Sequence, residues 1–338
     1  MAKRQSRQSA AQHQVLLPGR DPKELVLTFA GNIVKHLGVQ MYAGRPVPAI
    51  AELISNAWDA DAINVEVRLP LDEPWESSNP DHFIEVSDDG NGMTWDMVRD
   101  AYLDVGRDRR EVEQTDRSSG GRLLQGRKGV GKLAGFGIAD IVGIQTVNRD
   151  PDPAVRQKTL IWFKLDLAEL KKAKKGPAPV DLVFAGPIAQ APAGARKRNG
   201  TTVTLRRLHQ KRAQNANRFH HSMAQRFLLI GPKFHVRING DALKEEDIKL
   251  QWRWPQTGWL TDEVKGCGPV KYWLGFTPEP RKQNEGDLSG ILIYTRDKIS
   301  QEATFFEISG GVLVNTACAT WSEWSRRSGL TLASMRLT

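Results

Sequence analysis

From Pro46 the chain places Ile50, Leu53, Ile54 and Ala57 at i, i+3, i+4 and i+7, the spacing of an amphipathic helix that buries one face. Pro48 sits where a first helical turn tolerates it. Ile63, Val65, Val67 and Leu69 then alternate with Asn64, Glu66 and Arg68, which predicts a half-buried strand, and the apolar run Phe83 to Val86 predicts a second. Leu133 to Ile144 reads as a helix running into a strand, and Thr159 to Leu167 as another strand. Val203 and Leu205 alternate with threonines in a further strand, and Phe219, Met223, Phe227 and Ile230 form one stripe of a later helix. Past Asp241 a tryptophan-rich strand region (Trp252, Trp254, Trp259, Trp273) is assigned to a second domain, 241–338. Helix and sheet are mixed, an α+β pattern.

Where periodicity fails, the chain is polar. Residues 1–20 carry Lys3, Arg4, Arg7 and Arg20 without apolar spacing, which predicts a disordered basic arm. Asp104 to Arg127 carries Arg107, Arg109, Arg110, Arg117 and Arg122 and the pair Gly120-Gly121, a loop long enough to expect a functional lid over about 104–135. The run 171–199, with KKAKKGPAP and ARKRNG, predicts a solvated insertion between strands. Length and composition fit an ordinary globular protein: 338 residues, 40% hydrophobic and 26% charged, enough to bury a core without disulfides. No run of about 18 apolar residues is present and the amino terminus lacks an apolar core, so the expectation is a cytoplasmic protein without membrane contact. Cys267 and Cys318 are far apart and predict unpaired thiols. The net charge of +9 permits nucleic-acid binding without requiring it.

Four polar constellations are candidates for chemistry. Glu52, Asn56 and Asp59 fall at i, i+4 and i+7 on the first helix, so they share a face. A carboxylate one turn from an amide suits a general base beside a hard-cation ligand, because Glu accepts a proton from water and the Asn carbonyl oxygen suits Mg²⁺; a solvated helix face has the same look. Asp88-Asp89-Gly90-Asn91-Gly92-Met93 follows directly on a strand. Its glycines allow close approach to a ligand, and Asp88 can accept a hydrogen bond from an exocyclic amine, although such runs are also plain turns. In Gly126-Arg127-Lys128-Gly129-Val130-Gly131-Lys132-Leu133, backbone N–H groups at a helix start make a nest for phosphate. The spacing imitates the GxxxxGK(S/T) loop, but Leu133 stands where Ser or Thr must ligand Mg²⁺, so that reading is set aside. Gly200-Thr201-Thr202 opens a strand with hydroxyls able to hold a water or a carboxylate.

Taken in order, ELISNAWDA (Glu52 to Ala60), DDGNGM (Asp88 to Met93), GRKGVGKLAGFG (Gly126 to Gly137) and GTT (Gly200 to Thr202) resemble the four nucleotide-binding motifs of the GHKL ATPases. That superfamily holds gyrase B subunits, heat-shock chaperones, sensor histidine kinases, MutL and the MORC proteins. GRKGVGKLAGFG and the later GILIYTRDKISQEATFFEISGG (Gly290 to Gly311) look closest to the MORC and heat-shock-chaperone branch. The resemblance implies a Bergerat fold over residues 21–240, an antiparallel or mixed sheet covered by helices on one face, followed by a transducer-like α/β domain that ends early for the family. It implies ATP and Mg²⁺ as ligands. Glu52 resembles the general base that orients the attacking water, Asn56 the Mg²⁺ ligand, and Asp88 the aspartate that reads the adenine amino group. Gly90, Gly92 and Met93 then shape the base pocket, Thr201 stands behind Asp88, and Asp59 braces the same wall. Gly126, Gly129, Val130 and Gly131 resemble the lid hinge around the phosphates, with Lys128 and Lys132 as charge donors.

Hydrolysis needs a base for water, whereas phosphotransfer to histidine uses the histidine itself; Glu52 therefore favours an ATP hydrolase over a histidine kinase. His209, His220 and His221 follow the nucleotide motifs, and His220-His221 reads as a surface pair. The family's second domain sends a cation to the γ-phosphate, and Arg296 and Lys298, just after the predicted strand Ile291 to Tyr294, are the candidates. The expected partners are ATP, a second copy on ATP binding, and a DNA or protein client. An ATP-binding regulatory module with negligible turnover is the alternative.

Overall fold

The helix predicted from Pro46 is α1 (Pro46–Asp59), and its apolar stripe is buried, Ile50 and Ile54 completely, while Asn56 stays exposed. A computed structural model describes residues 14–29, 40–105, 115, 117–125, 131–153, 155–173, 177–209, 212–227, 233–244, 247, 252–264, 268–276, 291–295, 298–304 and 330–337. Ile230, Cys267, Cys318 and Arg296 lie outside these residues. Chain contacts define two compact units, Met1–Arg122 with Gly126–Ala213, and Leu123–Gln125 with Gln214–Thr338. The division falls at Gln214, upstream of the composition change near Asp241.

The first unit is built on β1 (Gln14–Val15), β3 (Asn64–Arg68), β4 (Ile84–Asp88), β6 (Ala139–Val147), β7 (Thr159–Asp166), β9 (Asp181–Pro187) and β10 (Gly200–Leu208), in the spatial order β1-β9-β7-β6-β10-β4-β3. All of these neighbours are antiparallel except the parallel edge pair β1–β9. A second small sheet joins β5 (Asp104–Val105), β2 (Val26–Phe29) and β8 (Ala178–Pro179). Helix α1 packs on β4 and on the 3-10 segment Gly131–Gly137, while α2 (Leu167–Lys172) packs on β7. This mixed layer arrangement is that of a Bergerat-type fold.

The second unit holds α3 (Ala216–Phe227), the hairpin β11 (His235–Ile238) and β12 (Asp241–Ala242), and a further sheet. That sheet runs β13 (Trp252–Trp254), β15 (Gly268–Phe276), β18 (Leu330–Leu337), β16 (Ile291–Thr295), β17 (Lys298–Thr304), with β14 (Leu260–Val264) also on β15. Phe219, Met223 and Phe227 are buried on α3 as their stripe predicts.

Five expectations need correction. The end of the basic arm is ordered into the fold: β1 pairs with β9, Leu17 is buried, and Arg20 makes two 2.9 Å bonds to the Asp96 carboxylate. The 171–199 run is not a solvated insertion, because its middle is β9, whose Leu182, Phe184 and Ala185 are core residues between lysine-rich and arginine-rich flanks that mask them in the composition. Ile63 is 50% exposed, since the strand starts one residue later, after a turn in which Asp61 takes φ 59°. His221 is buried, with Nδ1 against the Asp247 carbonyl, so it is no surface residue. The helix expected from Leu133 is a 3-10 turn, and three glycines in its seven residues disfavour a regular α-helix.

Candidate active site

Glu52 sits half-buried on α1, and the buried Tyr42 hydroxyl hydrogen-bonds to its carboxylate. Burial first, and then the adjacent Glu52 charge, push the Tyr42 phenol above its ordinary value, so it stays a donor at neutral pH. Gly131 faces the same carboxylate so closely that an added Cβ would lie 2.8 Å from Glu52 Oε2. Asn56 follows one turn along the helix and Asp59 ends it, half-buried. Glu52 and Gly131 are thereby brought together in the fold.

Asp88 ends β4. The β4–β10 register pairs Thr202 with Ser87, which sets Gly200 and Thr201 beside Asp88. Asp88 Oδ1 accepts from Gly90 N–H at 2.8 Å and from Thr201 N–H at 3.2 Å. Among the described residues Oδ2 takes no hydrogen bond, which leaves an acceptor for an outside donor. Burial pushes the Asp88 carboxyl up to about 6, opposed by the Gly90 N–H, the Arg196 charge and the Thr201 N–H. Thr146 Oγ1 accepts from Met93 N–H at 2.9 Å and shares a 3.1 Å bond with Thr201 Oγ1, so motif two and motif four are stitched through β6. Gly92 has φ 65°, and a Cβ there would meet the Val147 carbonyl at 2.0 Å, so the loop closes against β6 only with glycine.

Asp61, two residues beyond Asp59, braces this wall. Its carboxylate accepts from Ser118 Oγ (2.5 Å), Gly120 N–H (2.8 Å), Ser119 Oγ (2.9 Å) and Asn91 Nδ2 (2.9 Å). Burial alone would raise this carboxyl, but the four donors outweigh it and hold it below the usual range. Arg122 reinforces the clamp by bonding the Ala62 carbonyl at 2.5 Å and lying 4.3 Å from the Trp58 ring centroid. Thus part of the expected lid, residues 117–122, is tied to the end of α1 and to the Asp88–Met93 loop.

Replacing Asp61 by Ala is expected to cost about 2–3 kcal/mol by leaving several donors without their acceptor, and to speed tryptic cleavage at Arg117 and Arg122. Limited proteolysis followed by mass spectrometry checks this; unchanged cleavage would remove the clamp. Because the folded-state value of Asp61 is depressed, its stabilisation is present at neutral pH and is lost as pH falls below the ordinary carboxylate range.

Lys132, expected as a charge donor to the phosphates, is placed against backbone carbonyls. Its ammonium bonds the carbonyls of Ala101, at 2.9 Å, and Asp104, which turns it toward the end of the π-helical turn Val98–Tyr102. Gly126, Lys128, Gly129 and Val130 lie outside the described residues, as does Arg296; Lys298 opens β17. Tyr42, Asp61, Arg196 and Asn199 were not indicated by the sequence patterns. Asn199 Nδ2 donates to the Asp89 and Gly90 carbonyls at 3.0 and 3.2 Å, closing the wall behind Asp88 from the arginine-rich run. The position of that run directly before Gly200-Thr201-Thr202 was the available signal.

Residues 45–173 match the family described as "Histidine kinase-, DNA gyrase B-, and HSP90-like ATPase". Over these residues the chain is similar to GHKL-type ATPase domains. A curated relative, "Putative type II restriction enzyme HgiDII" of Herpetosiphon aurantiacus, is 26% identical over 234 residues, which cover 68% of this chain and 34% of the relative. The chain thus spans about a third of that relative's length. The family match supports ATP binding by the GHKL domain at a general level. No described helix is long and apolar enough to cross a membrane. For a nucleotide the donor set fits: Asp88 offers an acceptor at a closed strand end, Glu52 offers a hard oxygen beside Gly131, and Asn56 offers another one helical turn along α1.

Proposed function

We propose that this chain binds Mg·ATP between α1, the Asp88–Met93 loop and the Gly131–Gly137 segment, hydrolyses it with Glu52 as general base, and uses ATP to gate lid closure and association with a second copy or a partner. The observation that carries the reading is the Glu52 carboxylate set against Gly131, at the start of the glycine-rich segment that the third motif assigns to the phosphates. A water between that carboxylate and the γ-phosphate would lose its proton to Glu52 as its oxygen bonds the γ-phosphorus, while the bond to the β–γ bridging oxygen breaks and ADP leaves. Tyr42, donating to the same carboxylate, fixes its orientation. Asp88 accepts the adenine amino hydrogen, and Thr201 holds Asp88 in place through its N–H. Asn56 would ligate Mg²⁺, which when bound offsets the phosphate charge.

Calorimetric titration of ATP with and without Mg²⁺, run beside a phosphate-release assay, tests the proposal. Binding with turnover supports it; no ATP binding at millimolar nucleotide would overturn it. Asp88→Asn is expected to weaken ATP by roughly 10- to 100-fold, the worth of a hydrogen bond to a charged acceptor, and an unchanged dissociation constant removes the base-reading role.

A second reading, an ATP-binding regulatory module with negligible turnover, is favoured by Lys132, whose contacts with the Ala101 and Asp104 carbonyls must be exchanged before it could serve a phosphate. Binding without phosphate release would select it. The restriction enzyme in the name of the relative makes DNA the partner to test first, in accord with the +9 charge. Fluorescence anisotropy with duplex DNA should show binding that falls steeply between about 50 and 200 mM salt. Absence of binding at low salt would discard DNA.

A further inference from the structure

The Arg196 guanidinium is locked by acceptors on every nitrogen. Nε donates to the Arg198 carbonyl at 2.8 Å. Nη1 reaches Ser87 Oγ at 2.8 Å, Thr202 Oγ1 at 2.6 Å and the Thr201 carbonyl at 3.2 Å. Nη2 reaches the Asp88 carbonyl and, at 2.5 Å, the Asn199 carbonyl. Its own backbone N–H is held by Gln145 Oε1 at 2.7 Å. One side chain therefore ties the last two residues of β4 to Thr201 and Thr202 of β10 and to the turn before it. A surface arginine would contribute little, but this one is half-buried directly against the residue that offers an acceptor to a base.

The chemistry of that acceptor depends on its charge. An ionised carboxylate accepts a hydrogen bond from a 6-amino group, as on adenine; a protonated carboxyl donates, which suits a 6-oxo group, as on guanine. Asp88 is pressed toward the protonated form by burial, and the nearest cation opposing this is Arg196. The other charged groups around the pair are Asp89 in the same loop, Glu85 on β4 and Arg198 before β10. Asp89 adds to the pressure toward protonation, Glu85 acts on the Arg196 charge, and Arg198 is a weaker neighbour of Arg196 than either carboxylate.

We propose that Arg196 is a positioning residue that determines base specificity: its fork fixes the strand end that aims Asp88, and its charge keeps that carboxylate in the amine-accepting form. The inference rests on the ATP reading above. A residue acting as a staple alone would lower the affinity for every nucleotide equally, whereas a charge-setting residue alters the preference between bases and its pH dependence.

The test measures dissociation constants for ATP and GTP from pH 5 to 8.5 on the full chain, for the native protein, Arg196→Met and Arg196→Lys, with folding checked by circular dichroism. The ATP-to-GTP affinity ratio is the readout, because phosphate titration is common to both nucleotides and cancels. In the native protein the ATP preference should fall as pH drops through about 6. In Arg196→Met the midpoint should rise by about one unit or more, so that the preference at pH 7 falls by roughly tenfold. Arg196→Lys, which keeps the charge and loses the fork, should keep the midpoint and bind both nucleotides more weakly. A folded Arg196→Met with the native midpoint and preference overturns the proposal. Should Arg196→Met not fold, Arg196→Lys decides: native affinity for both nucleotides overturns the positioning role, and weaker binding at an unmoved midpoint supports it. A native protein that binds no ATP at any pH instead overturns the nucleotide reading beneath it.

Discussion

Glu52→Ala is expected to lower Mg·ATP turnover by roughly 10² to 10⁴ while leaving the ATP dissociation constant within a few-fold of native. The asymmetry follows from the placement of the side chain. Glu52 faces Gly131 and takes the Tyr42 hydroxyl, whereas Asp88, the acceptor proposed to read the base, ends β4 and is held by Gly90 and Thr201. Truncating Glu52 removes the proton acceptor for water and leaves the base pocket in place. Phosphate release measured in parallel with calorimetry on both proteins checks it. Equal residual hydrolysis in native and variant chains would sink the general-base assignment, while a loss of binding in step with turnover would make Glu52 a structural residue. Tyr42→Phe supplies a graded companion. It removes one donor from the carboxylate and keeps the ring, so a several-fold fall in turnover with unchanged affinity is expected.

Gly200→Ala should cost roughly 3 kcal/mol or more of stability and abolish detectable ATP binding. Gly200 has φ 104°, and a Cβ there would lie 2.2 Å from the Asp88 carbonyl oxygen and 2.6 Å from Arg196 Nη2. Relief requires backbone movement at the residue that offers its carboxylate to the base. Gly194→Ala is the matched control, with φ 77° but nothing within 4 Å of the added methyl, so it pays only the left-handed backbone term of about 1 kcal/mol. Urea denaturation of the two variants separates the contributions. Similar losses in both would mean that β4 and β10 do not approach as closely as described.

How much of this was legible in the sequence differs from one part of the site to the next. Helix α1 and strands β3, β4, β7 and β10 could be read because their apolar spacing is local, and Glu52, Asn56 and Asp88 could be read because each sits in a short motif whose chemistry is local too. Asp61 could not. Its partners, Ser118, Ser119 and Gly120, are nearly sixty residues away in a polar loop, and nothing in the spacing of either segment pairs them. Arg196 was hidden differently, inside a run whose average composition is that of solvated chain. Only the register of β10 on β4 shows that its guanidinium enters the wall of the site. The same averaging hid β9, where three core side chains are flanked by charged and small residues.

The close approaches at Gly92 and Gly200 also bear on what natural variation in this chain would report. Each is demanded by backbone packing against a neighbouring strand end, whether or not a nucleotide ever binds. A lineage that had lost hydrolysis would still be selected to keep both glycines, for the sheet would not close without them. Glu52 carries no such obligation, since its side chain is half-buried and a shorter or neutral replacement leaves the apolar stripe of α1 intact. Among relatives, an exchanged Glu52 beside retained glycines would therefore mark a chain that has kept the fold and given up hydrolysis, whereas an exchanged Gly200 would mark one that has rebuilt the wall itself.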